Sequence, residues 1–184
     1  MKIFLASRSP RRRELLEQMN VNYSVIDIEV NEDWDGQETA VQYVRRVTLD
    51  KVRAGYQKSY GFLPVLSADT SVVLDHRILG KAENDEQARD MLHRLSGRSH
   101  EVLTAVALKY QHEQLVLSRN RVCFRTITPS EITDYLATRE PLGKAGGYAV
   151  QGYAARFISR LEGSYSAVVG LPIYETDQLL KSLA

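Results

Sequence analysis

The order of apolar and polar positions along the chain predicts alternating strands and helices. Compact apolar runs rich in branched side chains predict strands at residues 2–6, 23–28, 63–68, 102–110 and 114–126. A hairpin is also predicted at residues 71–74 and 77–79, turning at Asp75-His76. Apolar residues three or four positions apart predict helices at residues 38–59, 84–95 and 128–137. A further helix is predicted to begin at Pro10, and a last helix to end near residue 183. Because hairpins interrupt the alternation, we predict an α/β fold with a mixed sheet.

Length and charge narrow the class of protein. The 184 residues suit one domain, or one domain with two closely packed lobes, and no linker divides residues 1–184. The net charge of +1, from 24 basic and 23 acidic residues, argues against a general nucleic-acid binder. No apolar run reaches the length of a membrane span, and the first apolar stretch is too short for a signal peptide. We therefore expect a soluble cytoplasmic protein without nucleic-acid or membrane partners.

The first predicted helix begins with basic residues where acidic ones are usual. Ser9 is placed to cap this helix, and Arg11 and Arg12 stand in its first turn. The free N–H groups of a helix start, a hydroxyl and guanidinium groups together suit a phosphate. A solvated basic turn, tempered by Glu14 and Glu17, is the alternative.

Two further residues have either a chemical or a purely structural explanation. Asp69 follows the apolar run 63–68, so we expect it at the end of a buried strand, as a metal ligand, a general base or a cap of the next turn. Lys51 lies on the apolar stripe of the helix at 38–59, where it either extends to the edge or meets an anion. Lys81, next to Gly80, is a weaker candidate for contact with phosphate.

The segment 143–152 holds four glycines and is predicted to be a loop that approaches a ligand closely. It has neither the residue order of a P-loop nor that of a dinucleotide fingerprint. Gln151 carries donors and acceptors that can read the edge of a base. The acidic loop at 29–37 includes Glu32, and one of its carboxylates could hold Mg²⁺ together with Asp69.

Five motifs, taken together, resemble the signatures of a known family. They are Ala6-Ser7-Arg8-Ser9-Pro10-Arg11-Arg12, Ser67-Ala68-Asp69-Thr70, Gly80-Lys81, residues 144–152 and residues 163–172. In this order, from residue 3 to about 180, they resemble the Maf family of nucleoside triphosphate pyrophosphatases. The form Gly-Gly-Tyr-Ala-Val-Gln-Gly is similar to the branch that cleaves dTTP and UTP. The chain departs from the family pattern at Asn31, Ala82 and Ala167, where Asp, Pro and Asn are expected.

The resemblance implies a two-lobed α/β fold with a long twisted mixed sheet, flanking helices and a central cleft. It implies hydrolysis of dTTP or UTP to the monophosphate and pyrophosphate, a divalent metal (Mg²⁺, with Mn²⁺ as the alternative) and a homodimer. The implied roles are Asp69 as proton acceptor, Lys51 and Lys81 as catalytic cations, and Glu32 and Asp69 as metal ligands. Substrate binding and selection fall to Ser9, Arg11, Arg12, Thr70 and Gln151.

Two other functions remain open at this point. One is a non-catalytic regulator of cell division that binds a nucleotide. The other, an RNA-binding module built on residues 8–13, is weaker because no aromatic residues stand among the arginines.

Overall fold

The computed structural model describes residues 2–183, in which seven strands form one sheet. The strands are β1 Lys2–Leu5, β2 Asn22–Val25, β3 Val65–Leu74, β4 Arg77–Leu79, β5 Ser99–Lys109, β6 Glu113–Phe124 and β7 Ile158–Glu162. The helices are α1 Pro10–Gln18, α2 Ala40–Lys58, α3 Asp85–Leu95, α4 Pro129–Ala137, α5 Tyr165–Val169 and α6 Ile173–Lys181, with a 3-10 helix at Tyr153–Phe157.

The sheet runs in the order β2-β1-β3-β5-β6-β7, and β4 pairs with β3. β1 is parallel to both β2 and β3, whereas the remaining pairs are antiparallel. The predicted α/β fold with a mixed sheet is therefore confirmed. That the chain is one domain with two lobes stays a prediction.

Both faces of the central strands are covered. α2 packs on the face that carries the odd-numbered residues of β3 and β5, where Val44 and Val52 meet side chains such as Val65 and Ala105. The even-numbered face bears two separate apolar clusters. One includes Leu66 and Val106 with α1 and α6, and the other includes Val72 and Val102 with α3 and α4. Thr70 and Thr104 lie between these two clusters along their strands.

The edge of β3 is interrupted at its middle. On one side β3 pairs with β5 from Val65 to Val73. On the other side β1 pairs only with Val65 and Leu66, and β4 pairs only with residues 72–74. Residues 67–71 therefore lie in a gap between β1 and β4, and Asp69 is at the centre of that gap.

The prediction that Asp69 ends a strand is wrong. β3 continues for ten residues through Asp69 and Thr70 to the hairpin with β4, which turns at Asp75-His76 as predicted. The strand continues because Asp69 and Thr70 pair with Ala105 and Thr104 of β5 like their apolar neighbours.

Other boundaries also differ from the predictions. β2 ends at Val25, three residues early, and the sequence did not predict β7, α5 or the 3-10 helix. Ser9 stands at the N-cap position of α1, but its side chain makes no capping hydrogen bond. Instead Ser7 Oγ accepts from Ser9 N over 3.2 Å. Within residues 2–183, no helix is both long and apolar enough to cross a bilayer.

The buried side chain of His100 joins β5 to the glycine-rich segment 143–152. Its Nε2 lies 2.7 Å from the hydroxyl of Tyr148, and its ring packs edge-on against Phe124. His100 is 3% exposed, and burial lowers its pKa to about 4. In the unfolded chain the pKa of this histidine is near 6.5, so acid protonates the unfolded state before the folded one. The stability of the fold is therefore highest above pH 6.5 and decreases as the pH falls towards 4.

We expect the free energy of unfolding to fall by about 2 kcal/mol between pH 7 and pH 5, since only the unfolded state takes up the His100 proton in this range. Urea denaturation at the two pH values measures this change. His100→Asn should remove most of the pH dependence, whereas replacement of the exposed His112 should leave it intact. An equal pH dependence in His100→Asn and the unchanged protein would contradict this assignment.

Candidate active site

A cleft with a volume of about 510 Å³ opens at the gap in the β3 edge. Every site residue predicted from the sequence lines it: Ser9, Arg11, Arg12, Glu32, Lys51, Asp69, Thr70, Lys81 and Gln151. They come from α1, α2, β3, the loop before α2, the segment after β4 and the glycine-rich segment. The structure therefore brings together residues up to 142 positions apart, from Ser9 to Gln151. Their roles stay predictions.

Lys51 is the centre of the charged part of the cleft. Its Nζ donates to Asp69 Oδ1 over 2.8 Å and lies 2.9 Å from Glu32 Oε1. The side chains of Lys51 and Asp69 are 8% and 11% exposed. Of the two possibilities that the sequence left open, Lys51 thus meets an anion, and that anion is a pair of the protein's own carboxylates.

The helix that carries Lys51 is fixed to the strand that carries Asp69. Thr48, one turn before Lys51, uses its hydroxyl to donate to Val44 O over 2.7 Å. Ser67 Oγ of β3 donates to the backbone oxygen of Thr48 over 2.8 Å. The first bond lies within α2, and the second holds α2 against β3 directly beside the ion pair.

Glu32 belongs to a loop that two side chains of α2 hold in place. The Tyr43 hydroxyl donates to Glu32 O over 2.7 Å, and Arg46 donates to the backbone oxygens of Asn31 and Asp33. Burial opposes ionisation of Glu32, but attraction by Lys51 and by the more distant cations outweighs it, and the pKa of Glu32 is lowered. Glu32 is therefore ionised at neutral pH.

Lys81 stands at the opposite side of Glu32. Its Nζ is 3.7 Å from Glu32 Oε2, and its side chain is 67% exposed. The backbone of Lys81 forms a bridge with Ala145 of the glycine-rich segment, and Gly146 N donates to Gly80 O over 3.0 Å. The ammonium is thus on a fixed backbone but free to reach a ligand.

Arg12 is buried and holds three parts of the chain together. Its Nε donates to Gly170 O over 2.8 Å, and its two terminal nitrogens donate to Ser7 Oγ and Thr70 Oγ1 over 3.1 and 3.4 Å. Thr70 Oγ1 is also 3.1 Å from Thr104 Oγ1. Three of the five N–H groups of this guanidinium contact protein, so the predicted substrate contact falls to those that remain.

Arg11 and Ser9 line the cleft at the start of α1. Arg11 is half-buried, and the loss of water around its guanidinium lowers its pKa. Within residues 2–183 the Arg11 side chain makes no hydrogen bond and no ion pair. The first turn of α1 contains no acidic residue, so the positive end of this helix dipole faces the cleft with no carboxylate in that turn.

The glycine-rich segment lies close against β3. A Cβ added at Gly146, which has a φ of +67°, would lie 2.9 Å from Val72 Cγ1. This close approach, and the Tyr148–His100 contact, fix the segment from which Gln151 enters the cleft. Within the part of the chain described, the Gln151 side chain makes no hydrogen bond and is exposed.

Sequence reasoning did not single out Ser7, Thr104 or Lys144 as site residues. Lys144 lines the cleft, and Ser7 and Thr104 hold Arg12 and Thr70 in place. Ser7 and Lys144 stand inside the quoted motifs, so those motifs contained the signal. Thr104 gave none, because a threonine in a strand is ordinary. Ala167, which stands where the family pattern has Asn, is fully buried, and its backbone oxygen accepts from Thr104 over 2.7 Å.

Asp69 and Glu32 form the donor set that a metal would use. Both carboxylates contact one ammonium, so both are within reach of one cation. In residues 2–183 no group of three or more acidic, histidine or cysteine residues could hold a metal. Mg²⁺ commonly binds one or two carboxylates and completes its shell with water and substrate phosphates. The residues present fit such an ion when an oxygen-rich ligand accompanies it.

The mixed sheet and the cleft at its edge place this protein in a known structural class, the α/β fold of the Ham1 protein. The Ham1 protein of Staphylococcus aureus superimposes with a TM-score of 0.55 at 12% sequence identity, covering 100% of both chains. This likeness concerns the fold alone.

The family follows from comparison of the sequences. The family model described as "Maf-like protein" matches residues 2–183. The "dTTP/UTP pyrophosphatase" of Nitrosomonas europaea is 48% identical over 192 residues, covering 97% of this chain and 93% of the relative. The protein of the same name from Alkalilimnicola ehrlichii is 49% identical, covering 97% of this chain and 91% of the relative. The chain belongs to the Maf family, as the motifs indicated.

We expect Lys51→Met to lower the free energy of unfolding by about 3 kcal/mol, since it leaves the buried Asp69 carboxylate without its partner. Urea denaturation measures the loss. The matched control is Arg45→Met, because Arg45 is an exposed cation of the same helix that forms no hydrogen bond or ion pair within residues 2–183. Similar losses in both variants would show that the Lys51 pair adds no stability.

Proposed function

We propose that this protein hydrolyses dTTP and UTP to the nucleoside monophosphate and pyrophosphate, and so removes unwanted nucleotides from the pool. The observation that carries the proposal is the Lys51–Asp69–Glu32 cluster, which shares one cleft with Lys81 and the basic groups of α1. The names of the relatives support the choice of substrates.

The basic residues of the cleft suit a triphosphate because there are several of them. Arg11 at the start of α1, Lys81 beyond β4 and Lys144 of the glycine-rich segment all line the cleft. Such groups would bind the anionic chain and stabilise the charge that develops on the leaving pyrophosphate. Ser9 adds a hydroxyl donor beside Arg11.

Asp69 is the group best placed to accept a proton from water. It is nearly buried, and its Oδ1 is held by Lys51, which leaves Oδ2 for the attacking water. Attack at the α-phosphorus forms a bond from water oxygen to phosphorus and breaks the bond to the bridging oxygen. The pyrophosphate leaves with that oxygen, and Asp69 takes the water proton.

Glu32 and Asp69 would hold the divalent metal, Mg²⁺ or Mn²⁺, which when bound supplies charge neutralisation on the phosphates. Lys51, shared by the same two carboxylates, then keeps them close together while remaining available to a phosphate oxygen. The carboxylates contribute the negative charge that a cation needs in this otherwise basic cleft.

Thr70 and Gln151 would select the base. Arg12 and Thr104 orient the Thr70 hydroxyl, whereas the Gln151 amide has free donors and acceptors. A site that hydrogen-bonds a base edge rejects analogues that leave its polar groups unpaired. A homodimer and a cytoplasmic location are part of the proposal and are supported by the family resemblance.

A panel of canonical and modified triphosphates, incubated with purified protein and Mg²⁺, tests the function. We expect dTTP and UTP to yield monophosphate and pyrophosphate, and Asp69→Asn to lower kcat about a hundredfold or more. Release of orthophosphate would refute attack at the α-phosphorus. Tight binding of a nucleotide without turnover would favour the non-catalytic regulator instead.

Chelation should abolish turnover, and either Mg²⁺ or Mn²⁺ should restore it. Glu32→Gln should raise the Mg²⁺ concentration needed for half-maximal activity by roughly tenfold, because one ligand charge is lost. The control is Glu29→Gln, an exposed carboxylate of the same loop that does not line the cleft. Full activity in excess chelator would argue against a metal.

A further inference from the structure

A carboxylate outside the cleft, that of Glu140, holds the turn that carries Gln151. The Tyr135 hydroxyl donates to Glu140 Oε1 over 2.8 Å. The backbone N–H of Tyr153 donates to Oε2 over 2.8 Å, and that of Ala154 reaches Oε1 over 3.5 Å. These donors are all neutral, and within residues 2–183 Glu140 forms no ion pair. The carboxylate is therefore used to fix backbone rather than to balance a charge.

Gly152 brings the chain directly against this carboxylate. A Cβ added at Gly152 would overlap both carboxylate oxygens of Glu140, so only glycine permits the contact. Gly152 N also donates to Ala149 O over 3.1 Å, which closes the turn around Gln151. Gly152, which follows Gln151, is thus in contact with Glu140, and the backbone of Tyr153 is hydrogen-bonded to Glu140.

The Gln151 side chain depends on this turn for its position. It makes no hydrogen bond to any residue between 2 and 183, so the backbone on either side determines where the amide enters the cleft. Further support comes from Tyr153, whose ring stacks on Tyr135 with centroids 5.6 Å apart and planes at 14°. Glu140 and Tyr135 together anchor the turn to α4.

We propose that Glu140 is a positioning residue for Gln151 and that the cleft thereby distinguishes uracil and thymine from cytosine. This inference rests on the proposed function. Uracil and thymine present an oxygen where cytosine presents an amino group. A glutamine amide on a mobile backbone can rotate and pair with either the oxygen of uracil or the amino group of cytosine. An amide that enters the cleft from a fixed backbone favours one of these two partners.

The first experiment compares kcat and KM for UTP and CTP in the unchanged protein, Glu140→Gln, Gln151→Ala and the double variant. Glu140→Gln should reduce the preference for UTP over CTP about tenfold, mainly through a higher KM for UTP, the size expected for one hydrogen bond. The double variant should have the same preference for UTP over CTP as Gln151→Ala alone, because Glu140 acts through Gln151.

Glu131→Gln is the matched control. Glu131 lies in the first turn of α4, is half-buried, accepts from Thr128 N and pairs with Arg125, but it does not contact the turn. Its replacement should reduce stability without a change in the UTP to CTP preference. Tyr135→Phe is a milder second variant, which removes one hydrogen bond to Glu140 and keeps the stacked ring. Tyr135→Phe should also reduce the preference for UTP over CTP, but by a smaller factor than Glu140→Gln.

Hydrogen exchange of the segment 149–155 gives a readout that does not depend on turnover. Exchange should be faster in Glu140→Gln than in the unchanged protein or Glu131→Gln. Unchanged exchange there, or an equal loss of kcat/KM for UTP and CTP, overturns the positioning role. If the unchanged protein cleaves no triphosphate, the proposed function fails, and the affinities of the same variants for UTP and CTP then decide the role of Glu140.

Discussion

The acidic side of the cleft depends on one buried ammonium. Asp69 and Glu32 come from a strand and a loop, and Lys51 from the helix between them, so the pairing fixes three elements at one point. Asp69 is nearly buried and Glu32 is partly exposed, and the ammonium between them offsets the repulsion of two ionised carboxylates. A ligand that enters here must therefore offer a cation to the carboxylates or an anion to the lysine. A triphosphate with its metal offers both.

The second support of the cleft is assembled from distant parts of the chain. Arg12 joins α1 to β3 and to Gly170, His100 holds Tyr148, and Glu140 holds the backbone beyond Gln151. The contacts of Arg12 and His100 link residues far apart in sequence, and that of Glu140 links the end of α4 to the turn after Gln151. The groups that face the ligand are therefore few, but their positions depend on buried polar contacts behind them.

The sequence predicted those parts of the structure that depend on local pattern. Apolar periodicity located α2 and placed Lys51 on its buried face. The motifs, together with Lys51 and the acidic loop that holds Glu32, supplied the proposed site residues, all of which line one cleft. It failed at Asp69, because a polar residue after an apolar run resembles a strand end, whereas pairing with β5 carries the strand onward. Thr104 and Glu140 left no local signal, because the residues whose positions they fix, Thr70 and Tyr153, are more than ten residues away.

The gap in the edge of β3 opens both faces of this strand to one cleft. Neighbouring residues of a strand point to opposite faces, so Asp69 meets Lys51 on the side of α2 while Thr70 meets Arg12 and Thr104 on the other. Both reach the same opening because neither β1 nor β4 covers the strand there. In the function proposed above, the proton acceptor and the base-selecting hydroxyl therefore stand on opposite faces of one strand. On that proposal, a lineage can replace Thr70 to suit a new base and inherit Asp69 with its Lys51 partner unaltered.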